Sequence, residues 1–597
     1  MKYPLFFLAV FLLITGSCNR PGISWKPAPG PLSTRWTAEV DPGHPWPEYP
    51  RPQMVRDEWL NLNGLWEVAI TPAGNPAPGT WNRQILVPFP VESSLSGLGV
   101  HPGTDSIVWY HRTVRIPSGW RDHKVLLHFE AADWETRVWV NGQYAGMHRG
   151  GYDPFTFDIT DWVRSGQKAG LLVRVWDPTD DGTQPRGKQV NHPRGIWYTP
   201  VTGIWQTVWL EPVNLSYLKK YRVQTLPEKN QVSLSLEGHN IFPGTSVRAE
   251  VLKEDSVLAV TTVEWGDPVI LTLPGVEWWE PDHPVLYDIR ITLFNERKTL
   301  DKVEGYFGFR DIRLGKDDRG ITRMMLNGRF LFQNGPLDQG FWPDGIYTPP
   351  TEEAMKYDLE VIRELGFNML RKHVKVEPRR YYYWCDKMGI LVWQDMPSGD
   401  GYIGRNDPDL VRSDTSAAQY KKELKQLIVK HDNHPSIVVW VPFNEGWGQF
   451  DTEGIVSFIR SLDSTRLINS ASGWTDRGAG DLRDVHHYPE PVAPTAEKNR
   501  AIVLGEFGGL GLPVPGHTWV DKNWGYRNMQ DSAELLNRYK QFYTLVWQMK
   551  DNPGLSASVY TQITDVETET NGLMTYDRKV IKIDPVQAHA INTGGLK

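Results

Sequence analysis

Two carboxylates in this 597-residue chain stand where reactive groups are expected. The run Ile437-Val438-Val439-Trp440-Val441-Pro442-Phe443 leads into Asn444-Glu445, and Ala501-Ile502-Val503-Leu504-Gly505 leads into Glu506. A glutamate directly after a run of buried aliphatics sits at a strand's exit, where an ionised group is costly unless it is paired or used. Two such glutamates on strands of one barrel can face each other over its mouth. Hydrolysis of a glycosidic bond needs that arrangement: one carboxylic acid donates to the leaving oxygen, and one carboxylate attacks the anomeric carbon. Rival chemistries lack their residues, since there is no His-Glu-x-x-His, no Gly-rich phosphate loop and no serine nucleophile elbow. His431 and His434 fall at a predicted helix end before Pro435, which suits a cap or turn better than a metal pair.

The elements that must position these glutamates read in three blocks, together a multidomain fold of two β-sandwiches and a barrel. Residues 51–214 are short strands rich in β-branched and aromatic residues, such as Lys124 to Glu130, Thr136 to Val140 and Leu171 to Trp176. Asn-Gly, Pro-Ser-Gly and Asp-Pro turns punctuate them, and the block reads as a jelly-roll-like β-sandwich. Residues 215–312 hold about seven further short strands, which suits an immunoglobulin-like β-sandwich. From 313 to 597 the period changes to alternating helices and buried strands, among them an amphipathic helix from Glu352 to Leu365 and a long one from Ser416 to His431. That alternation, at that length, is the pattern of a closed (β/α)8 TIM barrel, whose chemistry sits at the carboxyl ends of its strands.

Longer motifs resemble those of glycoside hydrolase family 2, the family of β-galactosidases, β-glucuronidases and β-mannosidases. They are Leu62-Asn63-Gly64-Leu65-Trp66, Asn141-Gly142 through His148-Arg149-Gly150-Gly151-Tyr152 to Pro154-Phe155, and Gly203-Ile204-Trp205 through Trp209-Leu210-Glu211. The second block adds Trp279-Glu280-Pro281 and Gly305-Tyr306-Phe307-Gly308-Phe309-Arg310, and the barrel adds Gly366-Phe367-Asn368-Met369-Leu370-Arg371 with His434-Pro435-Ser436. The resemblance makes Glu445 the acid/base, Glu506 the nucleophile of a retaining mechanism, and Asn444 the holder of the sugar 2-hydroxyl. It implies that Tyr488 hydrogen-bonds the nucleophile, that Arg371 supports it, and that His373 faces the substrate. Asp338, Trp342, Asp395, Gln562 and Asp565 are further candidates for sugar contacts.

The departures concern substrate. Gln333 to Trp342 replaces the His-Glu pair found after the first barrel strand in many β-galactosidases of the family, and Val392 to Pro397 is closer to a mannosidase-like pattern. No Asn-x-Lys pair is placed to clamp a uronic acid carboxylate, which argues against a glucuronidase. These changes remove much of the side-chain set that binds Mg²⁺ in some members, so neither a metal nor another cofactor is implied. The expectation is an exo-acting retaining glycosidase, β-galactosidase-like by default. β-Mannosidase-like or galactofuranosidase/arabinofuranosidase activity remains open, as does a non-catalytic carbohydrate-binding lipoprotein.

Composition sets the remaining bounds. The net charge of -7 leaves no basic field for a nucleic-acid backbone. Residues 1–17 read as a signal peptide, and small residues before Cys18 resemble a lipobox, with 18–50 as a tether and lead-in. The expected location is the bacterial cell envelope, the membrane being met only through lipid on Cys18; plain secretion is the alternative. Tryptophan, at 27 residues, outnumbers tyrosine and phenylalanine. Most of these indoles precede residue 215 and belong to sandwich motifs, so only Trp342, Trp447, Trp474, Trp519 and Trp524, near predicted rim loops, are candidates to touch a sugar.

Overall fold

The computed structural model describes residues 25–296 and 298–595. Cys18 and the leader lie outside the described residues. A six-stranded and a four-stranded antiparallel sheet form the first sandwich. Strict alternation builds it: in Lys168–Trp176 the side chains of Ala169, Leu171, Val173 and Val175 point inward, each no more than 1% exposed, as a period of two requires. The second sandwich packs the sheet Tyr217–Leu226, Gln231–His239, Val269–Thr272 against a four-stranded one centred on Thr245–Lys253 and Tyr287–Asn295.

Eight parallel strands make the barrel: β1 Gln333–Asp338, β2 Met369–Lys372, β3 Leu391–Asp395, β4 Ile437–Val441, β5 Leu467–Ile468, β6 Leu482–His486, β7 Ala501–Gly508 and β8 Ala557–Thr561. They are hydrogen-bonded in the order β5-β4-β3-β2-β1-β8-β7-β6. The remaining seam is crossed by the Asp481 amide donating to the Ile468 carbonyl at 2.8 Å and by Asn469 Nδ2 donating to Asp484 Oδ2 at 2.7 Å. Six helices, α1 Glu352–Glu364, α2 Arg379–Met388, α3 Asp414–His431, α4 Thr452–Leu462, α5 Ser532–Asp551 and α6 Pro585–Asn592, ring the strands. Thr351 caps α1 and Ser413 caps α3 by accepting from the amide three residues on.

Two boundaries differ from those read in the sequence. The first barrel strand begins at Gln333, because residues 312–330 form antiparallel strands whose Met324 and Leu326 plug the barrel's lower end against Leu337 and Met369. Residues 25–50 are no free tether: Trp36 meets Trp342 edge-on at 6.2 Å, Thr34 Oγ1 donates to Asp344 at 2.6 Å, and Trp46 Nε1 donates to the Pro349 carbonyl at 2.9 Å.

Candidate functional site

The ends of β4 and β7 carry the two glutamates to one place. Carboxylate oxygens of Glu445 and Glu506 and a ring nitrogen of His486 lie within 4.8 Å of one another. Glu506 is 5% exposed and receives a donor on each oxygen, Arg371 Nη1 at 3.2 Å on Oε1 and Tyr488 OH at 2.5 Å on Oε2. Burial alone would raise its pKa, but His486, His373, Arg371 and the Tyr488 bond overcome it and hold Glu506 at about 2. Its oxygens are therefore ionised and aimed, as a nucleophile's must be. Glu445 sits at φ 50°, a left-handed conformation unusual outside glycine, and its amide donates to the Ser472 carbonyl at 2.8 Å. Such strain persists only where surrounding structure imposes it.

Arg371, fully buried on β2, organises the site. Its Nε and Nη2 grip Asp395 at 3.0 and 2.9 Å, and Nη2 also donates to Asn444 Oδ1 at 2.8 Å. A guanidinium only donates, so this bond fixes the amide's orientation. Asn444 Nδ2 is left buried with no hydrogen-bond partner among the described residues, a donor free for a substrate hydroxyl. His373 Nδ1 lies 3.0 Å from Asp395 Oδ2, and burial with nearby Lys188 pushes its pKa well down. The neutral ring donates from Nδ1 to the carboxylate and keeps Nε2 as an acceptor.

The sequence reading missed His486. Its Nδ1 is 2.9 Å from Glu445 Oε1 and 3.5 Å from Glu506 Oε1, and its Nε2 is 2.7 Å from Ser472 Oγ, which donates to Asp484 at 2.5 Å. Burial would lower its pKa, but Glu506, Glu445 and Asp484 raise it. A protonated imidazole there offsets the buried charge of Glu506. These three side chains could also ligate a cation, but the short contact with Glu445 uses the Nδ1 that a metal would need. The available signal was the alternation of β6, which turns Asp484 and His486 inward and leaves Val485 half-exposed.

The first sandwich also supplies residues that no motif announced. Its arm from 177 to 202 brings Trp197 onto Trp447, with ring centres 4.8 Å apart, while Trp447 lies 6.1 Å from His373. Lys188 Nζ stands 5.5 Å from the centre of the Tyr198 ring and 5.7 Å from that of Trp447. Lys188 is 5% exposed and forms no ion pair or side-chain hydrogen bond among the described residues. Burial pushes its pKa down against the pull of Glu569, Glu506 and Glu445. Removing a buried, unpaired charge stabilises a fold, whereas removing a substrate contact slows the reaction. Lys188→Met should therefore raise the melting temperature, a gain of about 1 kcal/mol, and lower kcat/KM about 10- to 100-fold, a charge-assisted bond being worth about 1.5–3 kcal/mol. Thermal denaturation and steady-state kinetics read both; unchanged kcat/KM would remove Lys188 from the site.

Other residues read as sugar contacts are placed elsewhere. Asp338 is consumed by Lys372 Nζ at 2.5 Å and Tyr381 OH at 2.6 Å. Trp342 is 2% exposed beneath the Arg578 guanidinium at 3.8 Å. Gln562 is fully buried between Gln339 and Asn571, and Asp565 accepts from Lys582 Nζ at 2.6 Å. Asp395 reaches the site only through Arg371 and His373. The polar groups among them are thus hydrogen-bonded to neighbouring side chains of the barrel. Of the loop after β7, Trp519 packs on Tyr576 at 5.6 Å, and Trp524 packs on Tyr526 at 5.2 Å, which in turn stacks on Tyr488 at 3.8 Å. Tyr526 thus walls the nucleophile, with Trp524 behind it. Trp474 lies edge-on to His486 at 6.1 Å.

The chain belongs to glycoside hydrolase family 2. Residues 59–210 match the family's sugar binding domain, 220–310 the description "Glycosyl hydrolases family 2", and 349–488 its TIM barrel domain. Among relatives, a β-galactosidase of Thermoanaerobacter pseudethanolicus is 26% identical over 449 residues, spanning 72% of this chain but only 56% of that protein. A β-glucuronidase of Bacteroides fragilis is 26% identical over 555 residues, spanning 85% of this chain and 76% of that one. The solved β-D-glucuronidase of Dictyoglomus thermophilum shares the fold, with a TM-score of 0.72 at 19% identity over 92% of this chain and 98% of its own. The chain thus spans little more than half the length of the Thermoanaerobacter β-galactosidase.

Proposed function

We propose that this chain is an exo-acting, retaining O-glycosyl hydrolase that removes a terminal sugar from an oligosaccharide by double displacement. The observation that carries this is the pair Glu445 and Glu506, with oxygens within 4.8 Å across the barrel mouth. That spacing suits the retaining geometry, where carboxyls lie about 5–5.5 Å apart and leave no room for an intervening water. Glu506 attacks the anomeric carbon while Glu445 gives its proton to the departing oxygen. The bond to the aglycone breaks as the glycosyl–Glu506 ester forms. Glu445, now ionised, takes a proton from water, which attacks the same carbon and releases the sugar and Glu506. Asn444 Nδ2 donates to the 2-hydroxyl, a contact that strengthens as charge develops on the ring.

Glu445→Ala tests the role of the acid/base. Glycosides with poor leaving groups should slow about 10²- to 10⁴-fold, while activated nitrophenyl glycosides should still glycosylate the enzyme and give a burst. Azide, which needs no base, should then restore turnover and yield a glycosyl azide. Neither burst nor rescue would overturn the assignment.

A β-galactoside is the default substrate, in keeping with one of the named relatives. A second reading, a β-glucuronide, is favoured by one observation: the unpaired, buried Lys188 ammonium in the aromatic wall, a cation that a uronate would satisfy without an Asn-x-Lys clamp. A panel of nitrophenyl galactosides, glucuronides, mannosides and furanosides, assayed with the parent and Lys188→Met, separates them. A uronide would suffer from Lys188→Met far more than a galactoside. The leader and Cys18 support an envelope location for this activity.

A further inference from the structure

We infer that a second, non-catalytic site for an anionic oligosaccharide lies in the groove where the two sandwiches meet helix α3. The groove has a volume of about 610 Å³, within the range of about 300–1,000 Å³ typical of ligand sites and far more than a lone ion needs. In a chain of net charge -7, its wall is cationic. Arg51 and Arg56 are consumed by Glu211 at 2.8 and 2.9 Å, Lys220 is taken by Asp432 at 3.0 Å, and Lys219 reaches Glu237 only at 3.9 Å. Lys425 and Lys430, five residues apart on α3, both line the groove and form no ion pair among the described residues. Burial, Arg379, Arg51 and Lys220 push Lys430 down to about 8, a cost that a bound anion would relieve.

His128, 5% exposed, is spent on its neighbours, with Nδ1 2.8 Å from Thr156 Oγ1 and Nε2 3.5 Å from Glu211 Oε2. One observation points to a sugar bearing the anion. Tyr217 and His239, with rings 4.9 Å apart, add an aromatic side to the wall. The groove is not an extension of the catalytic mouth. α3 ends at His431, just before β4 starts at Ile437, so Lys430 sits at the opposite end of the barrel from Asn444 and Glu445. A chain held there would be retained by the protein while its free end is processed elsewhere.

The test uses full-length protein carrying Glu506→Gln, so that ligands survive. Binding of tri-galacturonate, a sulfated chondroitin disaccharide, inorganic sulfate and a neutral trisaccharide is measured by calorimetry, with and without Lys425→Glu/Lys430→Glu. One or both acidic saccharides should bind, weaken at least tenfold in the double variant and weaken further with salt, while the neutral sugar does not respond. The two acidic ligands distinguish carboxylate from sulfate. Lys430→Gln, which adds no charge, should give a smaller loss in the same direction and guards against misfolding. In the Glu506 background the same substitutions must leave kcat/KM for a small nitrophenyl glycoside unchanged. No binding by either acidic saccharide, equal affinity in parent and variant, response to sulfate alone, or binding abolished by Lys188→Met instead would each overturn the site.

Discussion

Glu506→Gln should cost about 10⁵-fold in kcat, in the range seen when a covalent nucleophile is removed. Unlike Glu445→Ala, it should lose activity equally on good and poor leaving groups, and azide should not help, because no glycosyl ester can form. The change is nearly isosteric, yet not neutral for stability. Both oxygens of Glu506 receive donors, from Arg371 and Tyr488, so the amide turns its own N–H toward one of them. The pKa of Glu506 is lowered from an ordinary 4.5 to about 2. A carboxylate depressed in this way adds stability above its unfolded pKa and loses it as pH falls through the folded one. The contribution is on the order of 3 kcal/mol. The melting temperature of Glu506→Gln should therefore lie below that of the parent at pH 7, and the gap should shrink from pH 4.5 toward 2. Calorimetry at both ends of that window, with kinetics at neutral pH, checks it; activity above a percent of the parent would exclude Glu506 as nucleophile.

How far the sequence showed this site depends on the kind of signal. Glu445 and Glu506 were legible because an acid after an unbroken apolar run has no local means of leaving the barrel wall. Asp338 and Asp395, preceded by Asn334-Gly335-Pro336-Leu337 and by Trp393-Gln394 rather than by an unbroken apolar run, were candidates only for sugar contacts. Their partners, Lys372 and Arg371, stand on the neighbouring strand β2, and only the parallel pairing of β1, β2 and β3 brings them together. A strand-end acid is thus recognisable from sequence, but whether it is spent on a neighbour is not. His486 was hidden because half-exposed Val485 beside it reads as the core residue and the histidine as the surface one, the reverse of β6. Lys188 and Trp197 could not be found from their own segment at all, since they acquire meaning only when the sandwich docks over the barrel mouth. The sandwiches themselves were plain, because strand alternation and turn residues are local. The lead-in was misread for the opposite reason: its proline and glycine suggest a linker, while Trp36 and Trp46 anchor it to the barrel.

Arg371→Met should be the most damaging change to the site as a whole. The guanidinium is fully buried and has no substitute: it neutralises Asp395, pins Asn444 Oδ1 and meets Glu506. Removing one partner of a buried ionic network leaves its charges uncompensated, a loss of about 3–5 kcal/mol. Arg371→Lys keeps a charge but cannot make the two-pronged grip on Asp395, so it should fall between the two in melting temperature and separate charge from geometry. The catalytic consequence is specific. With Arg371 gone, Asn444 is free to rotate, and its donor is no longer held for the 2-hydroxyl. The parent should discriminate strongly against a 2-deoxy glycoside, because that contact grows in the transition state. In Arg371→Lys the natural substrate should slow about 10³-fold, while the 2-deoxy substrate, which never used Asn444, should lose less. Asn444→Ala should flatten the same ratio, and the double variant should add little, since two residues acting through one contact are not additive. An unchanged ratio of the two substrates in Arg371→Lys would mean that Arg371 acts through Glu506 alone and that Asn444 holds its orientation unaided.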